Sequence, residues 1–374
     1  MDWARLVAQR AAGLEASGIR KIFDLAATLK DPVNLSIGQP DFDVPEPVKE
    51  TAAAALREGF NRYTPSGGIP ELRKAVLDRF EKLHGMRPED VLITSGVSGG
   101  LTLALMALVN PGDEVLVPDP YFVSYKHLTG LCGGVPVYYD TYPNFTVNVP
   151  VLEQLVTSRT KVILAMSPGN PTGACLDDST KRELAAFARR KGLVLISDEI
   201  YELFTYGGRP DRSLLAWYPE GTVSLSGLSK TASMTGWRVG WAAGPKVLVD
   251  QMTKLQQFTF VCAPSFAQKA ALSAFKSDLS AAVPLYRQKR DFMVQGLRSA
   301  GYEVNEPGGA FYLFPRVPSQ YPSGQAFVEE AVRRELLLVP GNVFSERDTH
   351  FRISFAAPDA KLEAGLHIMR EMAR

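Results

Sequence analysis

From about residue 90 the chain alternates short, continuously apolar runs with longer stretches whose apolar residues return every three or four positions. Val91–Thr94 leads into Leu101-Thr-Leu-Ala-Leu-Met-Ala-Leu108. Glu114-Val-Leu-Val-Pro118 precedes a helical pattern from Tyr121 to Leu131. Lys161–Met166 precedes another from Thr180 to Lys191, and the runs Leu193–Asp198 and Thr222–Ser226 follow. Apolar runs alternating with helical patterns predict an α/β fold with a largely parallel sheet. The lack of polar alternation inside the runs predicts strands covered on both faces. The ends read differently. Residues 270–300 carry a helical pattern with a charged face at Tyr286-Arg-Gln-Lys-Arg290. Ala310–Phe314 and Phe351–Phe355 read as short strands, and a final helix closes the chain. This predicts a large domain over residues 43–275 with a mostly parallel central sheet flanked by helices. A smaller α+β domain would be assembled from 1–42 and 276–374, with Asp31-Pro32 and Gly38-Gln-Pro40 punctuating its N-terminal part.

Composition narrows the field by exclusion. A chain of 374 residues with 45% hydrophobic and 22% charged side chains has enough apolar material for one large domain or two ordinary ones. Its 41 basic and 40 acidic side chains leave a formal charge of +1, which argues against a nucleic-acid surface. No apolar run approaches a membrane span, and the polar start Met-Asp-Trp-Ala-Arg lacks a signal-peptide core. Cys132, Cys175 and Cys262 are widely spaced, without CxxC, so a disulfide framework is not expected and a reducing cytoplasm fits. His84, His127, His350 and His367 are dispersed, and no metal site is expected of them.

Chemistry-bearing residues cluster just after the predicted strands, at the sheet edge where open parallel sheets bind ligands. Lys230 follows Thr222–Ser226 and a break at Gly227. A lysine at the mouth of a buried strand is poorly solvated, which disfavours the ammonium and frees the amine to form an imine. Arg238, eight residues on, opens another apolar run and is placed to hold an anion. An imine-forming amine with an anion clamp is what pyridoxal phosphate requires. Asp198 ends its strand and reads either as a helix N-cap or as the partner of a protonated ring nitrogen. Tyr201 is placed to reach the same ligand or to pack. Asn170, in Ser167-Pro-Gly-Asn-Pro-Thr-Gly173, is either a turn residue or a ligand contact. Thr94-Ser-Gly-Val-Ser-Gly-Gly100 offers a helix N-terminus to an anion or serves as a tight strand-to-helix connection. It is neither a phosphate-loop nor a dinucleotide fingerprint. Phe122 is a stacking ring or core. Arg352, between Phe351 and Ile353, suits a carboxylate bidentately or an ordinary ion pair.

The ordered set Tyr63…Gly67, Ser167-Pro-x-Asn170-Pro-Thr-Gly173, Ser197-Asp198-Glu-x-Tyr201, Ser229-Lys230…Thr235-Gly-Trp-Arg238-x-Gly240 and Phe351-Arg352-Ile-Ser resembles the class I/II aminotransferases. These are pyridoxal-phosphate enzymes of fold type I, and the likeness runs from about residue 18 to the C-terminus. Gly18-Ile-Arg-Lys-Ile-Phe-Asp-Leu-Ala and Ala310-Phe-Tyr-Leu-Phe-Pro-Arg316 look most like the aspartate/aromatic branch. The resemblance implies Lys230 as the lysine that holds the cofactor, Asp198 on its ring nitrogen, Tyr201 and Asn170 on its ring hydroxyl, and Phe122 stacked on the ring. It implies the backbone of Gly96, Val97 and Ser98, with the Ser98 side chain and Arg238, around the pyridoxal 5'-phosphate phosphate group. Arg352 and the Gly38 backbone would take the substrate carboxylate. Tyr63 would reach the cofactor of a neighbouring subunit, which implies a homodimer with shared sites. Many members carry Ser three positions before the lysine, or Asn four before it. Here Gly227 and Ser226 stand there, so Ser226 or Ser229 is expected to make that phosphate bond.

The resemblance implies transfer of an amino group from an L-amino acid to a 2-oxo acid such as 2-oxoglutarate. A pyridoxal-phosphate β-lyase uses the same motifs, and a non-catalytic regulator of this kind carries an added DNA-binding domain for which the chain has no room. Phe23, Tyr63, Tyr125, Phe258 and Phe260 are compatible with an apolar or aromatic donor, and the branch resemblance implies an aromatic or aspartate-type one. Arg20 and Arg62 are candidates, by neighbourhood, for an acidic side chain.

Overall fold

The structure, a computed structural model, describes residues 1, 3–14 and 29–374. Its centre is a seven-stranded sheet of β2 (Asp90–Thr94), β3 (Glu114–Asp119), β4 (Val135–Asp140), β5 (Thr160–Met166), β6 (Val194–Asp198), β7 (Thr222–Gly227) and β8 (Gly240–Gly244). The spatial order is β2-β8-β7-β6-β5-β3-β4. The strands from β7 through β4 pair in parallel, and β8 runs antiparallel to both its neighbours. Successive side chains on a strand point to opposite faces, and both faces here are apolar. Val162 and Leu164 enter a core with Leu225 and the helix Gly96–Leu108. Ile163 and Ala165 enter another, with Leu195 and the helix Asp178–Lys191. That helix starts where the Asp177 carboxylate accepts from the Thr180 amide at 2.7 Å, and it stops at Gly192, in left-handed backbone.

The predicted α/β architecture is therefore present, with one strand of the central sheet, β4, that the apolar pattern did not mark. β4 is an edge strand with Val135 exposed and Pro136 inside it, tolerable only at an edge. β8 reads Gly-Trp-Ala-Ala-Gly because neighbouring backbone crowds it; a Cβ on Gly240 would lie 2.8 Å from the Gly96 carbonyl carbon. The helical stretch expected over 270–300 is two helices, Ser265–Ala274 and Val283–Ser299.

The smaller sheets come from both ends of the chain. β1 (Val33–Asn34) pairs in parallel with β10 (Leu336–Leu337), and β11 (Val339–Pro340), β12 (Phe351–Ser354) and β9 (Tyr312–Leu313) form an antiparallel set. They share one core with the helices Val283–Ser299 and Asp359–Met372, through Leu35, Met293, Leu297, Phe311, Ile353, Leu366 and Met369. Among the described residues no helix is long and apolar enough to cross a membrane.

One buried ionic cluster ties the end of β6 to the helix Pro70–His84. Glu202 accepts from Arg79 at 2.7 Å and lies 3.1 Å from His84 Nε2, and the Ser213 amide donates to His84 Nδ1. Burial alone would raise the Glu202 carboxyl, but the Arg79 guanidinium and His84 outweigh it and hold it at about 2. Removing one partner of a buried pair leaves an uncompensated charge. Arg79→Ala is expected to cost about 3 kcal/mol at pH 7, read from urea unfolding midpoints. A carboxyl depressed in the folded state stabilises fully above its ordinary value of 4.5 and loses that contribution as pH falls toward 2. The deficit of the variant should therefore narrow across that window; a deficit unchanged at pH 3 would remove the ion pair as its cause.

Candidate active site

A cavity of about 520 Å³ opens at the carboxyl ends of β5, β6 and β7 and is closed on its other side by residues 36–39, Tyr312 and Arg352. Val97, Ser98, Phe122, Asn170, Asp198, Tyr201, Lys230, Arg238, Gly38 and Arg352 all line it. Residues spread over more than three hundred positions are thus gathered by sheet topology at one edge. A larger cavity of about 870 Å³ lies between the helix Pro70–His84, the turn 203–210 and residues 275–288, and contains none of them.

Lys230 is half-buried, and its ammonium donates to the Gly38 carbonyl at 2.6 Å. Desolvation, then the nearby Arg352 and Arg238 charges, lower its pKa from 10.5 to about 8, with Asp198 opposing. Arg238 sits in left-handed backbone (φ 55°), and donates to the Thr235 carbonyl at 2.8 Å and the Ser95 carbonyl at 3.3 Å. Its guanidinium lies so close over Gly96 that any Cβ there would collide with it, and Gly96 itself has φ 68°. That glycine lets an arginine and the first turn of a 13-residue helix face the same spot. Ser95 makes no side-chain cap to that turn. Unclaimed amides, the helix dipole and a guanidinium together suit a phosphate.

Asp198 is 3% exposed. Its carboxylate accepts from the Tyr125 hydroxyl at 2.8 Å and the Ile200 amide at 3.2 Å, and it makes no ion pair among the described residues. Burial raises it to about 6 against these hydrogen bonds. The helix N-cap reading of Asp198 fails, since a turn and not a helix follows it. Arg352 is 1% exposed and lies between the rings of Tyr312 and Phe344, 4.6 Å from each centroid. It donates to Asn170 Oδ1 at 3.0 Å and to the Ser36 carbonyl at 2.7 Å, while its buried Nε has no partner among the described residues. A guanidinium with a spare donor inside a pocket fits a carboxylate.

Several expectations need correction. Ser226 is buried with its hydroxyl committed to Glu202 Oε1 (3.1 Å) and the Glu199 carbonyl (3.3 Å), away from the cavity; Ser229 and Thr235 line it instead. Tyr125 is fully buried beneath Asp198, out of reach of a substrate side chain. Phe258 and Phe260 are exposed and line nothing in this cavity. Tyr63 needs no correction: it is 84% exposed and lies outside its own subunit's cavity, as a residue assigned to a neighbouring site would. Arg20, Phe23 and the segment 18–26 lie outside the described residues. The sequence reading missed Tyr312, whose hydroxyl lies 2.8 Å from that of Tyr201. Its place in an apolar strand pattern concealed it.

The family model for aminotransferases of class I and II matches residues 30–368. The chain belongs to the class I and II aminotransferases. It is 37% identical to an aromatic-amino-acid aminotransferase of Thermococcus litoralis, covering 96% of each chain. It is 36% identical to an aspartate aminotransferase of Pyrococcus abyssi, again over 96% of each. The solved aspartate aminotransferase of Thermus thermophilus with maleate superposes with a TM-score of 0.94 at 33% identity, covering 98% of this chain and 99% of that one. The aminotransferase moves amino groups between amino acids and 2-oxo acids with pyridoxal phosphate as its cofactor. Amine, buried carboxylate and phosphate-sized anion cradle are all present in one cavity, so the chain's own residues fit that group.

Only the neutral amine captures an aldehyde, so capture accelerates as pH rises through the lysine's pKa. In cofactor-free aminotransferase, the rate of pyridoxal phosphate uptake by stopped-flow absorbance should rise through a midpoint near pH 8, not 10.5. Arg352→Ala removes the largest charge effect after burial and should move the midpoint upward. A midpoint that stays put in that variant would show that Arg352 does not set it.

Proposed function

We propose that the cavity at the β5–β7 edge is the transamination site, with the donor amino acid held between Arg352 and Lys230. Bound pyridoxal phosphate supplies an aldehyde that takes up the donor's amine and a ring that spreads the charge left when the Cα proton departs. Arg352 takes the α-carboxylate on its spare donors, with Asn170 and the Ser36 carbonyl fixing the guanidinium plane. Lys230 Nζ would be the general base for the donor's Cα proton. Asp198 would hold the proton on the ring nitrogen, Tyr201 and Asn170 the ring hydroxyl, and Phe122 would stack on the ring. Arg238, Ser98 and the backbone of Gly96 and Val97 would hold the phosphate, with Ser229, the expected alternative to Ser226, or Thr235 making the remaining bond. The observation that carries this reading is the convergence of Lys230, Asp198, Arg238 and Arg352 on one cavity.

The large domain spans 43–275 and the small one 1–42 with 276–374; the core of the small sheets also takes in Ile200, Tyr201, Phe204 and Tyr206 from the larger segment, so the two pack on each other. The enzyme is a homodimer: exposed Tyr63, Phe258, Phe260 and Val261 form its contact face, and Tyr63 completes the neighbouring site. A cytoplasmic setting suits three free cysteines.

The donor is an aromatic L-amino acid. Each cation lining the described cavity, Lys230, Arg238 and Arg352, already has a task, and the rings of Phe122, Tyr201 and Tyr312 surround the space. The second carboxylate of 2-oxoglutarate then needs a cation from elsewhere, and Arg62, exposed beside Tyr63, enters the neighbouring site with it.

Lys230→Ala should abolish the visible absorbance of the loaded enzyme and lower turnover by at least about four orders of magnitude. Retained transfer in that variant would overturn the assignment. In a donor panel against 2-oxoglutarate, phenylalanine and tyrosine should exceed aspartate in kcat/KM. Arg62→Ala should raise KM for 2-oxoglutarate about tenfold and leave KM for phenylpyruvate unchanged. Equal effects on both acceptors would remove Arg62 from that role.

A further inference from the structure

Tyr125 is completely buried, and the aminotransferase motifs assign it nothing. It lies in the first turn of the helix Ser124–Leu131, packed among Val162, Leu164 and Ile196. Two of its contacts point at the active site. Its hydroxyl donates to Asp198 Oδ2 at 2.8 Å, and its ring meets Phe122 edge-on, with centroids 5.7 Å apart and planes at 82°. The Tyr125 amide also donates to the Phe122 carbonyl at 2.9 Å, closing the turn that presents the phenylalanine. We propose that Tyr125 is a positioning residue that fixes the Asp198 carboxylate and the Phe122 ring together, so that the cofactor ring finds its charge partner and its stacking face already set. This rests on Asp198 being the partner of the ring nitrogen.

The physical content lies in what Asp198 would be without the hydroxyl. The groups around that carboxylate are Tyr125 from the helix, the Ile200 amide and Glu199 from its own turn, Tyr201 one step further, and Lys230 from the loop after β7. Burial and the Glu199 charge favour the protonated acid. The Tyr125 hydroxyl, the Ile200 amide and, more weakly, Lys230 favour the anion. Tyr125 is the side-chain hydrogen-bond donor in that set, and burial pushes its own phenol well above the ordinary range, so it donates throughout the working pH range. Loss of one charge-assisted hydrogen bond moves a carboxyl by about one pH unit. With Asp198 at about 6, such a rise lowers the ionised fraction at pH 7 from about nine-tenths to about one half. A protonated Asp198 no longer holds a charged ring nitrogen.

Tyr125→Phe keeps the ring and deletes the donor. In cofactor-free protein, the ¹³C carboxyl resonance of Asp198, assigned by its loss in Asp198→Asn, should titrate about one pH unit higher in the variant. In enzyme loaded with ¹⁵N-labelled pyridoxal phosphate, the ring nitrogen should shift toward its neutral position, and kcat should fall several-fold with KM little changed. Asp198→Asn serves as the control for the underlying reading. If that control leaves the ring nitrogen unchanged, Asp198 is not its partner and the site reading fails. If the control shifts the nitrogen but Tyr125→Phe moves neither the nitrogen nor the Asp198 titration, Tyr125 is only a packing residue. A lowered melting temperature with an unmoved titration likewise overturns the proposal. Tyr125→Leu, which deletes the ring as well, should further weaken cofactor retention on dialysis by loosening Phe122; equal retention in the Phe and Leu variants would overturn the stacking half.

Discussion

Three cations share one desolvated cavity with a single carboxylate at its floor, and the chemistry of the site depends on that imbalance. Lys230, Arg238 and Arg352 line the same space as Asp198. Arginine keeps its proton at any physiological pH, so the lysine is the group that yields, at about 8. The excess of positive charge suits the cavity to anions, and a phosphate at Arg238 and a carboxylate at Arg352 are what the proposed reading places there. An anion on Arg352 cancels part of the field that keeps Lys230 low. Carboxylate binding therefore makes the amine a stronger base at the step where a base is needed. Cofactor capture wants a neutral amine and proton abstraction a basic one; with a carboxylate on Arg352, as proposed, the same guanidinium would serve both.

The fold places these charges by using strand ends. β5, β6 and β7 run parallel, so Asn170, Asp198 and Lys230 leave the sheet on the same side. β8 returns antiparallel between β7 and β2 and brings Arg238, at its start, back to the helix N-terminus at Gly96. Two glycines make that approach possible. Gly96 leaves room for the guanidinium, and Gly240 lets β8 pass against the Gly96 backbone. The left-handed backbone at Arg238 is a strained conformation for a long side chain, tolerated where the surrounding contacts over-determine it.

The chemistry was more legible in the chain than the packing around it. Strand-end positions announce themselves, because a polar residue closing an apolar run has few structural reasons to be there; Asp198 and Lys230 are of this kind. β4 was illegible because it lies at the sheet edge, with Val135 exposed and Pro136 within it, and so shows no continuous apolar run. Tyr312 and Tyr125 were misplaced for the opposite reason. Each lies in an apolar pattern and buries its ring, and only the far end of the side chain, a hydroxyl on Tyr201 or on Asp198, belongs to the site. Ser226 failed through alternation. A strand residue faces one side or the other, and four positions before the lysine the side chain faces Glu202. Specificity was the least legible. Residues 36–39 line the cavity from the other end of the chain, and no local pattern encodes that proximity.

Glu202 and Asp198 show how such a structure separates a working carboxylate from a scaffolding one. They stand four residues apart after the same strand, and both are almost completely buried. Burial acts on both in the same direction, yet one is held at about 2 and the other lies at about 6. The difference is the company each keeps. Glu202 touches a guanidinium and an imidazole, so its charge is matched within the protein and available to nothing else. Asp198 touches a phenol and an amide, neutral donors that stabilise an anion without matching its charge. A buried anion hydrogen-bonded only by neutral donors stays electrostatically unfavourable until a cation pairs with it, and in the proposed reading that cation is the protonated ring nitrogen. Glu199, between them in sequence, is held by Ser197, Ser213, Ser224 and the Leu214 amide and is raised as well. It faces the strand and not the cavity, so its cost is structural. Burial and a raised pKa do not alone mark a functional acid; what marks Asp198 is that its unmatched charge faces a cavity.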